Sequence, residues 1–149
     1  MSTFRCNVCE AFNTAGPHAR GARCSACESR LDLVGTPQEV DAAALARAIA
    51  LSPVPLFVDF FAPWCVPCVM AAPMVHALSA RMAGEIVVLT VDTQRAEEAA
   101  ETHAIYAIPT FAVFRRGEEI ARQMGLLPEA GMERWVRKVL APPAADLRA

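Results

Sequence analysis

The sequence of 149 residues predicts an α/β domain that follows a small cysteine-rich module. Three observations support this fold class. From residue 34 to residue 141, short apolar runs alternate with segments whose apolar residues recur at helical spacing. Residues 1–33 contain two Cys-x-x-Cys pairs and very few residues that could form a core. A third Cys-x-x-Cys pair stands where an apolar, strand-like run gives way to a helix-like one.

Composition and charge argue against two classes of partner. Hydrophobic residues make up 54% of the chain, which is ample for a buried core, and the formal net charge is −2. The chain has no long basic run, so we expect no nucleic acid partner. No apolar stretch reaches the roughly 18 to 20 residues that a membrane span needs, and the first residues do not form an apolar signal segment. We therefore expect a soluble, cytoplasmic monomer.

The first four cysteines have the spacing of a metal site. Cys6, Cys9, Cys24 and Cys27 form the pattern C-x2-C-x14-C-x2-C. Each pair allows a tight turn to present two sulfurs to one ion, and the loop between the pairs contains the Gly and Pro residues that a return turn needs. Because a segment of this size has almost no core, a metal would supply much of its folding free energy. We therefore predict a zinc ribbon over residues 1–33, with one structural zinc per chain.

Other interpretations of these cysteines stay open. A pair of disulfides or four free thiols fits the same positions. His18 lies in the connecting loop and could replace one ligand, although four cysteines already complete a site. Ribbon turns of this kind often carry glycine after the second cysteine. This chain has Glu10 and Glu28 there, which we expect to make both turns less relaxed.

The segment from residue 34 to residue 141 is predicted to contain four helices and four strands. Thr36, Pro37 and Glu39 have the pattern of a helix start, with an N-cap, a first-turn proline and a capping-box acid. The remaining elements are a strand at LFVDFFA, a helix that contains Pro73 and ends near Gly84, a strand at EIVVLTVD, a helix at RAEEAAETHAI, a hairpin at TFAVFRRGEEIARQM and a helix at PEAGMERWVRKVL. We expect residues 142–149 to be a disordered tail.

Cys65 and Cys68 form the third pair, at the start of the helix predicted after LFVDFFA. A thiol at a helix N-terminus faces unpaired backbone N–H groups and the positive end of the helix dipole, which favour the thiolate. Cys68 lies one turn inside the helix, close enough for a disulfide, and we expect it to be the more shielded sulfur. A metal site here would need two more ligands. Of the candidates His76 and His103, the first lies about 16 Å further along the same helix, so we predict thiol–disulfide exchange instead.

These residues resemble the thioredoxin family. DFFAPWCVPC is similar to the family motif D-F-W-A-x-W-C-G-P-C, YAIPTFAVF to its Ile-Pro-Thr strand and RQMGLL to its later glycine loop. The resemblance covers residues 36–141 and implies a thioredoxin fold, with a central mixed sheet flanked by helices. With the four-cysteine N-terminus, the chain resembles the zinc-containing bacterial thioredoxin 2 subfamily over nearly its full length.

The resemblance also implies catalytic residues. Cys65 would be the attacking thiol and Cys68 the resolving thiol, while Asp59 would be a buried acid that exchanges a proton with Cys68. Pro109 would complete this set, because the Ile108–Pro109 bond would be cis and would face the active site. An alternative for Asp59 is an aspartate that is simply hydrogen-bonded to backbone.

An apolar docking rim is implied around these catalytic residues. An extended substrate strand would dock on five residues: Trp64, Val66, Pro67, Ile108 and Gly125. A purely structural role for Trp64 stays open. Val66 replaces the glycine of the family motif, and we expect it to change the redox potential and partner fit without changing the reaction class. Val88 replaces a lysine that the family commonly has near the acid, so we expect burial to raise the pKa of Asp59 without opposition from a cation.

The sequence therefore predicts a protein-disulfide reductase, with a thioredoxin domain at residues 34–141 after the zinc ribbon. The resemblance implies disulfide-containing protein substrates, an NADPH-dependent thioredoxin reductase as a partner and no tightly bound organic cofactor. Two other functions stay open. One is a dithiol oxidant or isomerase, which a more oxidising potential would reveal. The other is a zinc-ribbon adaptor without turnover, although the presence of both Cys65 and Cys68 speaks against it.

Overall fold

The computed structural model describes residues 2–16 and 19–142, in which two sheets and four helices are formed. The strands are β1 Ser2–Arg5, β2 Phe12–Ala15, β3 Gln38–Glu39, β4 Leu56–Phe61, β5 Val87–Asp92, β6 Thr110–Arg115 and β7 Glu118–Met124. The helices are α1 Ala42–Leu51, α2 Val66–Arg81, α3 Glu97–Thr102 and α4 Glu129–Leu140. The predictions for His18 and for nearly all of the tail fall outside the described residues.

The larger sheet has five strands in the order β3-β5-β4-β6-β7. β3, β5 and β4 run parallel, while β6 and β7 are antiparallel to their neighbours, so the predicted mixed sheet is confirmed. The sequence pattern explains why β4 is central: its first five residues are all buried, as a strand covered on both faces requires.

Helices cover both faces of this sheet. Leu45 of α1 and Ala99 of α3 pack with Val58 and Phe60 of β4 on one face. On the other face, Val75 of α2 and Val136 of α4 pack with Phe57 of β4 in a second apolar cluster. Because side chains alternate along a strand, Asp59 points to the same face as Phe57, beneath α2.

The start of α1 was predicted wrongly. The helix begins at Ala42, and its N-cap is Asp41, whose carboxylate accepts a hydrogen bond from the Ala44 N–H at 2.8 Å. Gln38 and Glu39, which the capping-box pattern placed in the first turn, form β3 and pair with β5. The edge of β5 offers unpaired backbone groups, and pairing with them outweighs the local helix signal of Thr36 and Pro37.

The N-terminal module forms strands that the sequence analysis did not predict. β1 and β2 make an antiparallel hairpin that flanks the first cysteine pair. Arg23 and Arg30 form an isolated antiparallel bridge that flanks the second pair in the same way. Each Cys-x-x-Cys pair therefore occupies the turn of a short hairpin.

This module contacts the rest of the chain through polar groups and through Phe12, which packs against the apolar cluster of α1 and β4. The Thr3 N–H donates to the carbonyl of Gly84 at 3.0 Å, and a Cβ on Gly84 would overlap the Ser2 side chain. The Arg5 side chain, only 6% exposed, donates to the Gln38 side chain, and the Gln38 amide donates back to the Arg5 carbonyl at 2.9 Å. The module is thus held against the edge of the larger sheet. No helix in the described residues is long and apolar enough to cross a membrane.

Candidate functional site

The start of α2 carries the first candidate site. Cys65 is the N-cap residue of this helix, and its sulfur accepts the Cys68 N–H at 3.2 Å. Pro67 fits the first turn, where a missing N–H leaves no hydrogen bond unmade. Cys65 and Cys68 are joined in a disulfide, so the predicted pairing is formed in this structure. This position gives Cys65 the backbone donors and helix dipole that stabilise a thiolate.

The expected difference in exposure between the two cysteines is not found. Cys65 is 4% exposed and Cys68 is 3% exposed. What distinguishes them is their surroundings, because Cys65 follows the exposed Trp64, whereas Cys68 lines a cleft with Asp59. An asymmetry between the sulfurs must therefore come from the groups that each one faces.

Asp59 is a buried acid of the central strand. It lies in the middle of β4, beside Thr90 of β5 and Phe111 of β6. Its Oδ1 atom has no hydrogen-bond partner among the described residues, which argues against an aspartate held by backbone. Burial raises the pKa of Asp59 to about 7. Val88 packs in the neighbouring apolar cluster, where it provides no charge that would oppose this effect of burial.

The Ile108–Pro109 segment lies beside the disulfide, and its peptide bond is cis, as the resemblance implied. The carbonyl oxygen of Ile108 is 3.8 Å from the Cys65 sulfur, and the Ile108 side chain packs against the cluster formed by Ala62 and the two cysteines. Gly125 has a φ of 88°, which favours glycine, and its N–H donates to the Pro109 carbonyl at 2.8 Å. The structure therefore brings Ile108, Pro109 and Gly125 together at the redox pair.

The surface around the disulfide is apolar and exposed. Trp64 is 65% exposed and Val66 is 67% exposed, so a purely structural role for the tryptophan is not supported. Sequence reasoning missed the other exposed apolar residues of these segments, which are Val69, Met70, Tyr106, Met124 and Leu126. The available signal was their position in the chain, since each lies within a few residues of Pro67, Ile108 or Gly125. Apolar patches of this kind mark surfaces that bind partners.

The second candidate site is the group of four cysteines in the N-terminal module. The sulfurs of Cys6, Cys9, Cys24 and Cys27 all lie within 4.8 Å of one another, with 3.7 Å between Cys6 and Cys27 and 3.5 Å between Cys9 and Cys24. Four sulfurs around a tetrahedral zinc at about 2.3 Å would lie about 3.8 Å apart. These cysteines carry no disulfide, and their donor set and spacing fit a metal ion of this kind.

The two turns that present these cysteines are nearly identical. The Glu10 N–H donates to the Cys6 carbonyl and the Glu28 N–H donates to the Cys24 carbonyl, both at 2.9 Å. Glu10 has a φ of 71° and Glu28 a φ of 66°, which is the left-handed region that glycine adopts most easily. The expectation that these glutamates occupy less relaxed turns is confirmed.

Asn13 supports this cluster and was not predicted. Its buried amide donates to the Cys24 sulfur at 3.4 Å, and its carbonyl oxygen accepts from the Ser25 N–H at 2.9 Å. The hydrogen bond from Asn13 and those from nearby backbone N–H groups lower the pKa of Cys24 to about 6. Donors next to a ligand hold it in position and favour its charged form. No local pattern in the sequence reveals this contact, because it joins β2 to the second turn.

Comparisons with known proteins agree with this geometry. The profile of the family described as Thioredoxin matches residues 37–138. Thioredoxin from Synechocystis is 33% identical over 105 residues, which are 70% of this chain and 97% of the relative. Thioredoxin 1 from Nostoc is 36% identical over 89 residues, which are 60% of this chain and 83% of the relative. Spinach chloroplastic thioredoxin M-type is 33% identical over 70% of this chain and 58% of its own length.

A solved structure shares the same fold. The structure of chloroplastic thioredoxin z superposes with a TM-score of 0.66 and 26% identity, over 72% of this chain and 96% of that one. The residues matched by the family profile, 37–138, include the Cys65–Cys68 disulfide, Asp59 and the Ile108–Pro109 segment. The chain therefore belongs to the thioredoxin family and is a thiol–disulfide oxidoreductase.

Proposed function

We propose that this oxidoreductase is a protein-disulfide reductase. One observation carries the proposal: the Cys65–Cys68 pair begins α2, faces the buried Asp59 on one side and meets the Ile108–Pro109 backbone on the other. A helix N-terminus supplies a thiolate, a buried acid accepts a proton and the half-buried Ile108 backbone beside Cys65 positions the partner. These are the three requirements of disulfide reduction through a mixed disulfide.

In the first step, the Cys65 thiolate attacks one sulfur of a substrate disulfide. A bond forms between Cys65 and that sulfur, the substrate S–S bond breaks and the other substrate sulfur leaves as a thiolate. In the second step, Asp59 accepts the proton of Cys68, and the Cys68 thiolate attacks the Cys65 sulfur. The mixed disulfide breaks, the second substrate sulfur is released and the Cys65–Cys68 disulfide forms.

The apolar surface around Cys65 is proposed to bind the substrate. Trp64, Val66 and Pro67 supply exposed apolar area on one side of the disulfide, and Ile108 and Gly125 lie on the other. Because Ile108 is not part of β6, its backbone is available for an extended substrate to pair with. This arrangement suits a disulfide in an extended protein segment.

The reduced form must be regenerated after each cycle. We infer that an NADPH-dependent thioredoxin reductase supplies the two electrons, as membership of the thioredoxin family implies. This supply of electrons, and their proposed flow from NADPH to protein disulfides, suit a reducing compartment. The cytoplasm stays our prediction for that compartment. The monomeric state also stays a prediction.

We further propose that Cys6, Cys9, Cys24 and Cys27 hold one structural zinc. This proposal is supported by the sulfur spacing and by the two equivalent turns. A zinc there would place the chain in the zinc-containing thioredoxin 2 subfamily that its sequence resembles. A closed site with four protein ligands has no open position for substrate, so the ion would act in folding. We place the boundary between this ribbon and the thioredoxin domain at about residue 34.

A coupled assay tests the reductase proposal. The protein would be incubated with NADPH, a thioredoxin reductase and a disulfide-linked two-chain protein whose separated chains precipitate. We expect turbidity together with NADPH oxidation, and a reduction potential of the Cys65–Cys68 pair near the value of about −270 mV that is typical of thioredoxin. A potential above about −180 mV, with no turnover, would favour the oxidant or isomerase function instead.

A further inference from the structure

A cleft of about 190 Å³ connects the buried acid to the surface of α2. Its lining consists of Asp59, Phe61, Cys68, Ala72, Val75, His76 and Thr90. Cys68, Ala72 and His76 follow one another at four-residue spacing, so they lie on the same face of the helix. Asp59 and Thr90 are paired on β4 and β5 beneath that face. The cleft therefore runs along α2 from the resolving cysteine to an exposed histidine.

The reaction needs a route for protons at this place. In the proposed second step Asp59 receives the proton of Cys68, and the Cys68 thiolate can recapture this proton unless Asp59 passes it on. Oδ1 of Asp59 has no hydrogen-bond partner among residues 2–16 and 19–142, and the carboxyl group is nearly fully buried. A cleft of this size holds several waters, because one water occupies about 30 Å³ in the liquid.

The charged groups near the cleft are few. Its ionisable lining comes from β4, which contributes Asp59, and from α2, which contributes Cys68 and His76, whereas β5 contributes the neutral Thr90. α4 also packs on α2, but its Glu133 and Arg137 line a separate groove together with Arg81. Within the described lining, His76 is thus the one group besides Asp59 and Cys68 that can take up or release a proton.

We propose that His76 is a proton-relay residue that connects Asp59 to solvent through water in this cleft. The inference rests on the proposed reductase function and deepens it. Histidine is the side chain suited to exchange protons near neutral pH, and an exposed imidazole at the mouth of the cleft can pass them to bulk water. The described lining of the cleft contains no lysine or arginine that could serve a similar purpose.

The relay is balanced for protons and electrons. The Cys68 thiol gives its proton to the Asp59 carboxylate, Asp59 gives a proton to a water in the cleft, and this water passes a proton to the His76 imidazole, which releases a proton to solvent. The Cys68 thiolate, which can then no longer recapture its proton from Asp59, attacks Cys65 and displaces the substrate sulfur. The electron pair moves only in the thiol–disulfide exchange, so the relay needs no further oxidant or reductant.

A two-phase kinetic experiment tests the relay. The fully reduced protein is mixed with a symmetric aromatic disulfide that releases one coloured thiolate on attack by Cys65 and a second on resolution by Cys68. The variants are His76→Gln, which keeps a polar side chain without titration, and the control Arg81→Gln, which removes a charge from the same helix outside the cleft. Thermal unfolding of both variants checks that the fold is kept.

We expect the first phase to be unchanged in both variants. The second phase of His76→Gln should be slower by about three- to ten-fold near pH 7, since general acid–base assistance contributes about 10²-fold or more when direct and less through water. The difference should disappear above about pH 9, where hydroxide accepts the proton from the cleft without assistance. Imidazole added as buffer should restore the rate of His76→Gln and leave that of Arg81→Gln unchanged.

The outcomes separate the two levels of the proposal. If the unaltered protein gives no second phase, the reductase cycle itself is wrong. If it gives both phases but His76→Gln behaves like Arg81→Gln, or if imidazole restores nothing, the cycle stands and the relay is wrong. A slow second phase that is equally slow at every pH would assign His76 a structural role and also overturn the relay.

Discussion

The chain uses the same cysteine spacing in two regions with different surroundings. All three Cys-x-x-Cys turns close with one backbone hydrogen bond from the residue after the second cysteine to the carbonyl of the first: Glu10 to Cys6, Glu28 to Cys24 and Val69 to Cys65. The donor–acceptor distances are 2.9, 2.9 and 3.0 Å. The turns begin alike, and the spacing alone does not decide their chemistry.

The backbone conformation of the residue after the second cysteine differs between the two regions. Glu10 and Glu28 take a left-handed conformation that ends each turn and sends the chain back along a hairpin. Val69 instead continues α2, so Cys65 stays at a helix start. The two hairpin turns then face each other and bring four sulfurs together, whereas the helical turn faces a buried acid. Whether a Cys-x-x-Cys turn binds metal or carries out redox chemistry therefore depends on the backbone conformation that follows the turn and on the groups that its sulfurs face.

The largest expected effect tests the roles of the redox pair. Cys65→Ser should abolish disulfide reduction, because it removes the attacking sulfur. Cys68→Ser should still attack but should accumulate a mixed disulfide with the substrate, which mass spectrometry detects. Since the two cysteines are equally buried, this pair of variants shows whether the helix N-terminus selects the nucleophile. An adduct on Cys65→Ser and none on Cys68→Ser would reverse the assignment.

Cys24→Ser should disrupt the metal site and leave the redox site active. The protein should contain about one zinc per chain, and this variant should lose it, because three thiolates leave the tetrahedral site incomplete. Disulfide reduction should persist, since the redox pair and Asp59 belong to α2 and β4 and have their own core. Metal content by atomic spectroscopy and the coupled turbidity assay provide the measurements.

A chelator applied to the unaltered protein serves as the control for Cys24→Ser, because it removes the metal without changing a residue. Both treatments should leave most of the helical circular dichroism signal in place. If that signal disappears on metal removal, the two regions do not fold separately.

Asp59→Asn should change how stability depends on pH. Burial raises the pKa of Asp59 from 3.8 to about 7. The stability contributed by the protonated acid is therefore complete below about pH 4 and is lost as the pH rises through about 7, because the unfolded chain releases its proton first. At about 1.36 kcal/mol per pKa unit, Asp59→Asn should be more stable than the unaltered protein above pH 7 by up to about 4 kcal/mol.

Urea unfolding of the oxidised proteins at pH 4 and pH 8 measures this effect with the disulfide held constant. The stability difference between Asp59→Asn and the unaltered protein should grow between the two pH values. A difference of the same size at both would contradict the raised pKa.

A matched pair of glycine variants tests the backbone conformation of the residue after the second cysteine. Glu28→Gly should stabilise the ribbon by about 1 kcal/mol, because a non-glycine residue in the left-handed region costs about that much. Metal affinity should rise by about five-fold, which is the equivalent of 1 kcal/mol. Val69→Gly changes the corresponding residue of the redox turn and should instead destabilise α2 by about 1 kcal/mol, since glycine is unfavourable inside a helix. Competition with a metal indicator and urea unfolding give the two quantities, and changes of the same sign would contradict the comparison.

Val66→Gly should have the smallest effect. The valine places apolar atoms beside the attacking sulfur, so glycine should improve the solvation of the thiolate and lower the pKa of Cys65. Because Val66 is largely exposed, we expect a small shift, and a lower pKa also reduces nucleophilicity, so the rate toward a small disulfide should change only modestly. Titration of thiolate ultraviolet absorbance measures the shift. An unchanged or higher pKa would indicate that helix geometry, rather than solvation, controls this site.

Much of the fold and the cysteines of both candidate sites could be predicted from the sequence because their signals are local, whereas the roles of Asp59 and Pro109 were expected only from the family resemblance. The buried run at β4, the hairpin of β6 and β7 and the cysteine spacing each need only neighbouring residues. The start of α1 was missed because two capping patterns compete within six residues, and pairing with β5 decides between them.

The supporting residues could not be predicted, because their roles depend on contacts between distant segments. Asn13 reaches Cys24 from another hairpin, and Arg5 meets Gln38 across 33 positions. His76 and Asp59 line one cleft only because α2 lies on β4. The equal burial of Cys65 and Cys68 was missed for the same reason, since Ile108 covers the cysteine at the helix start.

The short strand β3 has a consequence for how the protein behaves in a crowded solution. An edge strand with unpaired backbone groups is a template on which other chains can add, which leads to aggregation. β3 presents only two residues at its edge, and Arg5 and Gln38 exchange hydrogen bonds there. At the opposite edge, β7 carries Glu118, Glu119 and Arg122, whose charges oppose a second strand. Both edges of the described sheet are thus protected against strand addition, and the N-terminal module supplies the protection at one of them.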